Sequence, residues 1–408
     1  MAQIAPFKAL RPNASVAEAV ASRPYDVLNT AEAKQEVANN PHSFLHVTRS
    51  EIDLPNDVHV YSRLVYDKAK ENLEAMISQG ILMRETKPCY YIYKLVMGKR
   101  EQTGLVCVSS IDDYNNDIIK KHEFTRPEKE TDRINHIRIT GAQTGNVFLA
   151  YRNNAELDSL VDNWKKSRSP AYQFRADDKI EHTIWVVDDE TTINVITAIF
   201  ANNIPYTYIA DGHHRAASAA KVLTALGTEA SEDAKYFLTT LFPANQLSIM
   251  DYNRVIKDLN GLDQEDFLSV LHDDFDIALS PEPIAPSALH EFGMYLNGQW
   301  YILTAKEGTW TEDPIGVLDV SILSQHILDK HLGIKDQRTD KRIDFVGGIR
   351  GLKALQERVD SGEMAIAFSL FPVSIQQLFD IADSGNVMPP KSTWFEPKLR
   401  DGLLTHLI

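Results

Sequence analysis

PYTYIADGHHRAASAAKVLTAL, residues 205–226, runs from an aromatic and β-branched stretch through a glycine, two histidines and an arginine into a run of small residues. We read Pro205–Ala210 as a strand, Asp211–Arg215 as a turn and Ala216 onward as a helix. The first N–H groups of a helix have no intrahelical partner, so a strand that turns sharply into a helix presents them, together with the positive end of the dipole, to an anion. Gly212 permits a tight turn or a close approach of backbone to ligand. His213, His214 and Arg215 add ring and guanidinium donors suited to phosphate. Asp211 is the exception. Its carboxylate repels phosphate unless it caps the helix, holds a magnesium ion that bridges to phosphate oxygens, or serves as a base. On residue types alone the plainer reading is favoured: Asp211 as helix cap, Gly212 as turn residue, the two histidines and the arginine on a solvated first turn. Adjacent histidines at a helix start cannot point the same way, so zinc is not expected.

Working outward, His182–Val187 and Thr191–Asn203 precede this stretch and complete a strand–helix–strand–helix, or βαβα, unit. Further towards the N-terminus, Cys89–Met97 and Thr103–Ser110 flank Gly98 as a hairpin, and Thr30–Asn40 and Val60–Ser78 read as helices. The charged stretch Asp113–Arg138 reads as helical in pieces, Asn146–Tyr151 as strand and Asn154–Lys166 as helix. Beyond the βαβα unit, Tyr236–Phe242 and Leu247–Ile256 read as strands, Asp263–His272 as helix, and Phe292–Ala305 as a hairpin around Asn297-Gly298. Leu318–Leu332 reads as helix, followed by further alternation of strand and helix to Ala382. The fold class is α/β or α+β with mixed sheets, in three interwoven lobes: 1–170, 171–260 containing the turn, and 261–408.

At 408 residues, with 43% hydrophobic and 24% charged residues, the chain can bury a large core and is expected to fold throughout. The net charge of −15 argues against nucleic acid as a main partner but not against a small anion held in one focused cleft. The opening MAQIAPFKALRP lacks a signal-peptide core, and no segment is apolar enough to span a membrane, so a cytoplasmic protein without membrane partners is expected. Two cysteines, Cys89 and Cys107, read as reduced, packed thiols and not as a disulfide scaffold or cysteine-rich metal site. No haem, flavin or iron–sulfur cluster is expected, and a homo-oligomer is left open.

Three other segments carry candidate chemistry. Lys120–Arg133 supplies His122, Glu123, Arg126, Lys129, Asp132 and Arg133, enough acid, base and cation to line a polar cleft, although charge-dense segments are commonly solvated helices. Met388-Pro-Pro-Lys-Ser-Thr393 presents Lys391, Ser392 and Thr393 after two stiffening prolines, without a Walker glycine pattern. Arg254 suits bidentate phosphate contact, with a surface ion pair as the plainer reading. Tyr25, Asp26 and His46 read as a substrate-facing loop, which aromatic packing and ordinary turn chemistry explain as well.

Ile209-Ala-Asp-Gly-His-His-Arg215, together with Ile4-APFKALRP, Arg23-PYDVLN, Asn40-PHSFLHVTRSE, His122-EFTRPEKETDR and Met388-PPKSTWFEPK, resembles the bacterial and archaeal family catalogued as domain of unknown function 1015, over nearly the whole chain. The turn alone is similar to the phosphate-binding corner of the ParB/sulfiredoxin superfamily, including its free-serine kinases. That resemblance implies a ParB/sulfiredoxin-like βαβα core with additional α+β lobes, and a nucleotide such as ADP or ATP held with magnesium. It also implies a glutamate base toward a hydroxyl substrate, for which Glu51 and Glu123 are the candidates. Sulfiredoxin chemistry needs a thiolate where this chain has His213 and His214, and ParB-type partitioning needs a basic module that is not found here. In the family pattern a histidine precedes the arginine at 254, where this chain has Asn253. The resulting expectation is a small-molecule phosphotransferase or phosphohydrolase acting on a small anionic or phosphorylated ligand. Asp211, His213, His214 and Glu123 are its catalytic candidates, with Asp211 the magnesium ligand. Gly212, Arg215, Arg254, Lys391, Ser392 and Thr393 are expected to bind the cofactor, and Tyr25, Asp26, His46, Arg126 and Arg133 the substrate. The alternative is a non-catalytic nucleotide- or phosphometabolite-binding regulator.

Overall fold

A computed structural model describes residues 1–408. The chain is mixed α+β and divides into two compact units: Met1–Lys121, Thr125–Leu247 and Pro397–Ile408 form one, His122–Phe124 and Ser248–Glu396 the other.

The first unit is built on a nine-stranded sheet. Its strands are β1 (Ile4–Ala5), β2 (Tyr90–Met97), β3 (Arg100–Ser110), β4 (Ile119–Lys120), β5 (Val147–Tyr151), β6 (Tyr172–Arg175), β7 (Glu181–Val187), β8 (Thr207–Asp211) and β9 (Tyr236–Pro243). They lie in the order β4-β8-β5-β9-β3-β2-β7-β6, with β1 alongside β3. The β2–β3 hairpin forms as its aromatic and β-branched content requires. Alternate residues of the strands, Tyr90 and Ile92, Leu105 and Cys107, Leu149 and Tyr151, share one buried face. Onto that face pack α4 (Ala155–Ser167), α5 (Glu190–Asn203) and α6 (His213–Leu226), through Leu157 and Trp164, Ile199 and Phe200, and Ala216, Ala219 and Ala220. The alanines of α6 let its backbone lie close to the sheet. Three more helices of this unit are α1 (Thr30–Val37), α2 (Arg63–Ser78) and α3 (Pro127–Thr140), the last packed along α6.

The consecutive strands β7 and β8 are both present, but they are not neighbours: β5, β9, β3 and β2 lie between them. Local pattern specifies the strand–helix–strand–helix succession, while the long-range pairing of β8 with β5 and β4 decides where it sits. Cys89 and Cys107 are both free and buried.

The second unit holds a six-stranded antiparallel sheet. Its strands are β10 (Tyr252–Ile256), β11 (Phe275–Ser280), β12 (Glu291–Leu296), β13 (Gln299–Ala305), β14 (Ile343–Gly347) and β15 (Ile366–Leu370), in the order β11-β13-β12-β15-β10-β14. Helices α7 (Gln264–Leu271), α8 (Gly351–Asp360) and α9 (Ile375–Asp383) accompany it. The Asn297-Gly298 hairpin forms with both residues at positive φ, 48° and 78°, the twist that suits a two-residue connection. Leu247–Ile256 is two short strands instead of one: Ile249–Met250 pairs with Trp394–Phe395 before β10 begins. Within Leu318–Leu332 the helix is α over Asp319–Leu323 and π over Ser324–Asp329, where the Ser324 hydroxyl donates to the Val320 carbonyl and competes with the regular ladder.

The last twelve residues, Pro397–Ile408, are woven into the first unit. Asp401 bridges to Ser22, Thr405 to Leu10, and His406–Leu407 pairs antiparallel with Ala142–Gln143. No helix is long and apolar enough to cross a membrane.

Candidate functional site: the strand–helix corner of the first unit

β8 ends at Asp211 and α6 starts at His213, with Gly212 between them at φ 102°. A register shift between Ile209 and Asp211 in the pairing with β5 marks an irregularity just before the turn, the kind of local departure that re-aims a side chain. Only glycine fits at 212. A Cβ there would lie 3.1 Å from Arg215 Nε and 3.3 Å from Val147 Cα, in a left-handed conformation that L side chains resist. The helix cap is Gly212 itself, with no side-chain hydrogen bond to the first turn. The cap reading of Asp211 is therefore corrected: this residue closes the strand, and the N-cap position belongs to Gly212.

Asp211 is instead a counter-ion. Arg215 Nη2 donates to its Oδ1 at 3.1 Å and Lys398 Nζ to its Oδ2 at 2.8 Å. Arg215 does not project along the helix axis into solvent, as a solvated first turn would have it. Its guanidinium folds back beneath the turn, where Nη1 also donates to the Asn146 carbonyl. Burial would lower the basicity of this guanidinium, yet the charges of Asp211 and Asp26 hold it above its ordinary value, so it is a permanent cation under the corner. Gly145 allows the packing, since a Cβ there would stand 3.2 Å from Arg215 Cδ and 3.5 Å from Asp401 Oδ1.

His213 is buried, and His214 Nε2 accepts the backbone N–H of Arg126 at 2.9 Å, which assigns the proton of the neutral ring to Nδ1. Arg126 is the cap residue of α3, so one histidine links the starts of α3 and α6. Below it, Glu130 on α3 takes bonds from Thr125 and from Lys221 on α6. Burial would push that carboxyl up, but Lys221 and Thr125 hold it below the usual range.

Beside the corner, Arg133 pairs with Asp132 at 2.8 Å and stacks its guanidinium over Tyr25, 3.9 Å from the ring centre. Burial pushes the Tyr25 phenol up. Tyr25, Arg133 and His136 line both a small cavity walled by Arg215 and Gly145 and a polar cleft of about 290 Å³. The cleft also takes in Asp26, Arg49, Glu51 and Lys129. Three of the expected substrate residues, Tyr25, Asp26 and Arg133, thus share one opening. Glu51 lies there but accepts from Arg49 at 2.7 Å and Thr30 at 3.3 Å. His46 is not part of the lining. It pairs through Nδ1 with Asp53 at 2.9 Å, which raises its pKa. Lys398, Asp401 and Arg49 are partners the sequence reading did not single out, whereas Lys129 was among the charged residues expected to line a polar cleft. Lys398 closes the quoted motif ending Phe-Glu-Pro-Lys, and that position was the available signal.

Glu123, Arg254, Lys391, Ser392 and Thr393 belong to the second unit. Arg254 is not a surface ion-pair partner. It is fully buried, and its hydrogen bonds go to the carbonyls of Tyr252 and Pro390. Position 254 lies within β10, paired on both sides, which turns the side chain into the unit. No group of three or more metal-ligating side chains occurs.

Comparison with known proteins gives one family match, described as protein of unknown function (DUF1015), over residues 4–321. No curated protein matches. Among solved structures, a free serine kinase variant in complex with AMP is similar at 12% identity, over 73% of this chain and 92% of that one, with a TM-score of 0.38. A conserved hypothetical protein from Pyrococcus furiosus is similar at 14% identity, over 75% and 96%, with a TM-score of 0.36. SbnI with a C-terminal truncation from Staphylococcus aureus is similar at 11% identity, over 73% and 86%, with a TM-score of 0.33.

Proposed function

The chain belongs to the DUF1015 family, and from the chemistry of its corner we propose that it binds the phosphate groups of a nucleotide, or a related phosphorylated small molecule, at the first turn of α6 and transfers or hydrolyses a phosphoryl group. The observation that carries this reading is the start of α6. A helix of 14 residues begins on a left-handed glycine with no side-chain cap, directly above a buried arginine of permanent charge. First-turn N–H groups, dipole and guanidinium act in the same direction on an anion, and phosphoryl transfer draws mainly on such positioning and charge stabilisation.

Asp211 orients this machinery. By joining Arg215 to Lys398 it fixes two cations at one corner. The same pairing makes it a poor fit for a dedicated magnesium ligand, since both oxygens already serve cations and no cluster of carboxylates accompanies it. Magnesium would enter on the phosphates of the nucleotide, supplying charge neutralisation there. The polar cleft of Tyr25, Asp26, Lys129 and Arg133 is the place for the second substrate, with Glu51 holding Arg49 in the wall.

The test is titration of the folded protein with ADP, ATP and CTP, with and without Mg²⁺, followed by thermal shift and by NMR. Saturable binding is expected, weakened by His214→Ala; a folded protein that binds none of the three overturns the proposal. A second reading, a regulator that binds the same ligand without turnover, is favoured by the pairing of Asp211, which leaves the corner without an evident base. Asp211→Asn separates the two: a catalyst loses turnover while retaining ligand affinity, a regulator shows altered binding only.

A further inference from the structure

Arg254 is fully buried, yet its guanidinium has no carboxylate within ion-pair distance. Nη1 donates to the Tyr252 carbonyl, Nη2 to the Pro390 carbonyl at 3.2 Å, and Nε has no partner. The surroundings are aromatic: the Phe345 ring lies 5.3 Å from the guanidinium carbon, and Tyr252 stands edge-on to Phe345 and Trp394. Burying a charge without an opposite charge is costly, and two neutral carbonyls with one donor left over offset only part of that cost. Burial accordingly pushes the guanidinium down to about 10, with only the Tyr252 phenol opposing.

The element that covers Arg254 is Pro389-Pro390-Lys391-Ser392. Lys391 has φ 59°, an unfavourable left-handed conformation for a side-chain-bearing residue, and Ser392 Oγ holds the turn by donating to the Pro389 carbonyl at 2.6 Å. Met388, Pro389 and Pro390 also line a cleft with Ser324, Gln337, the cations Lys335 and Arg338 and the carboxylates Glu123 and Asp336. Gln337 is itself buried, with its Oε1 unpartnered.

We propose that Arg254 is the receptor of an oxyanion-binding site within the second unit, closed by the Pro389–Lys391 turn, and that it takes the phosphate group of a small molecule. On binding, the oxyanion enters from the cleft, displaces the Pro390 carbonyl from Nη2 and meets Nε and Nη2 as a bidentate pair, supplying the missing charge. The proposal does not rest on the corner of α6 and stands or falls separately from it.

The experiment is hydrogen–deuterium exchange of the full chain, read by mass spectrometry at residues 388–393 and 250–256, with inorganic phosphate as probe and a nucleoside monophosphate in a second arm. Phosphate at about ten times its dissociation constant is expected to slow exchange in both segments about tenfold. Protection by the nucleotide alone would assign the site to an organic phosphate. Arg254→Met is expected to fold with a melting temperature no lower than that of the parent, because an uncompensated charge has been removed, and to abolish protection at 388–393 while leaving any protection at 211–218 intact. Arg254→Lys keeps the charge and is expected to bind at least about tenfold more weakly, a point charge replacing a planar fork. Unchanged exchange at 388–393 with both probes, protection that survives in Arg254→Met, or failure of Arg254→Met to fold each overturns the proposal, the last by making the arginine structural.

Discussion

Gly212 and Asp401 show how single positions govern the corner. Alanine at 212 must adopt φ near 102° with its Cβ against Arg215, so Gly212→Ala is expected to lower stability by about 1–3 kcal/mol and to weaken nucleotide binding at the same time. Urea unfolding and ligand titration on the same sample check both. Asp401 is buried with Oδ2 unpartnered, and burial pushes its carboxyl up to about 7, against the pull of Arg215. An unfolded aspartate titrates near about 4, so the unfolded chain loses this proton first as pH rises. The contribution of Asp401 to stability is therefore full below about pH 4 and is lost by the time pH passes about 7. Asp401→Asn removes that dependence. The stability of the parent relative to this variant should fall across the window by up to a few kcal/mol. A flat difference in urea unfolding at a series of pH values would mean the carboxyl titrates normally. Little of this was legible beforehand. Glycine and the strand-to-helix change announce the turn, but Asp211 and Lys398 are 187 positions apart, and arginines such as Arg215 and Arg254 read as surface residues until their surroundings are known.

At the scale of elements, α3 and α6 are joined by Glu130, which is buried, and by Lys221, which is mostly exposed. Lys221→Met removes the cation and leaves the carboxylate dependent on Thr125. We expect a loss of about 1–3 kcal/mol at neutral pH. Because the Glu130 pKa is held low in the folded state, the stabilisation it gives is present above the unfolded value near about 4 and fades below it, so the effect of Lys221→Met should shrink in acid. Differential scanning calorimetry at two pH values reads this directly. The helices and strands themselves were largely written in local pattern: the Asn297-Gly298 hairpin, the β2–β3 hairpin and α6 follow from turn residues and periodicity. Sheet order was not. Nothing within Glu181–Asp211 tells β7 and β8 to lie with four strands between them, because that choice is made by β2, β3, β5 and β9.

For the whole molecule, the path of the chain matters more than the boundary of either unit. The first unit is left at Leu247, and the chain returns to it at Pro397. Ending the chain at Glu396 removes Lys398 from Asp211, Asp401 from Ser22 and the strand pairing of His406–Leu407 with Ala142–Gln143. Such a truncation is expected to unfold at lower denaturant concentration and to lose nucleotide binding, with circular dichroism and titration as the measurements. A truncated chain as stable as the parent would show the tail to be an appendage.

That return also sets a schedule for synthesis. At roughly 5–20 residues per second, the ribosome takes on the order of 10–30 s to pass from β9 to the tail; by then all nine strands of the main sheet have been made, and the short pairing of Ala142–Gln143 with His406–Leu407 is still outstanding. The lysine that pairs with Asp211 emerges 187 residues after it. Until Lys398 has emerged, the proposed phosphate corner lacks one of the two cations that Asp211 joins.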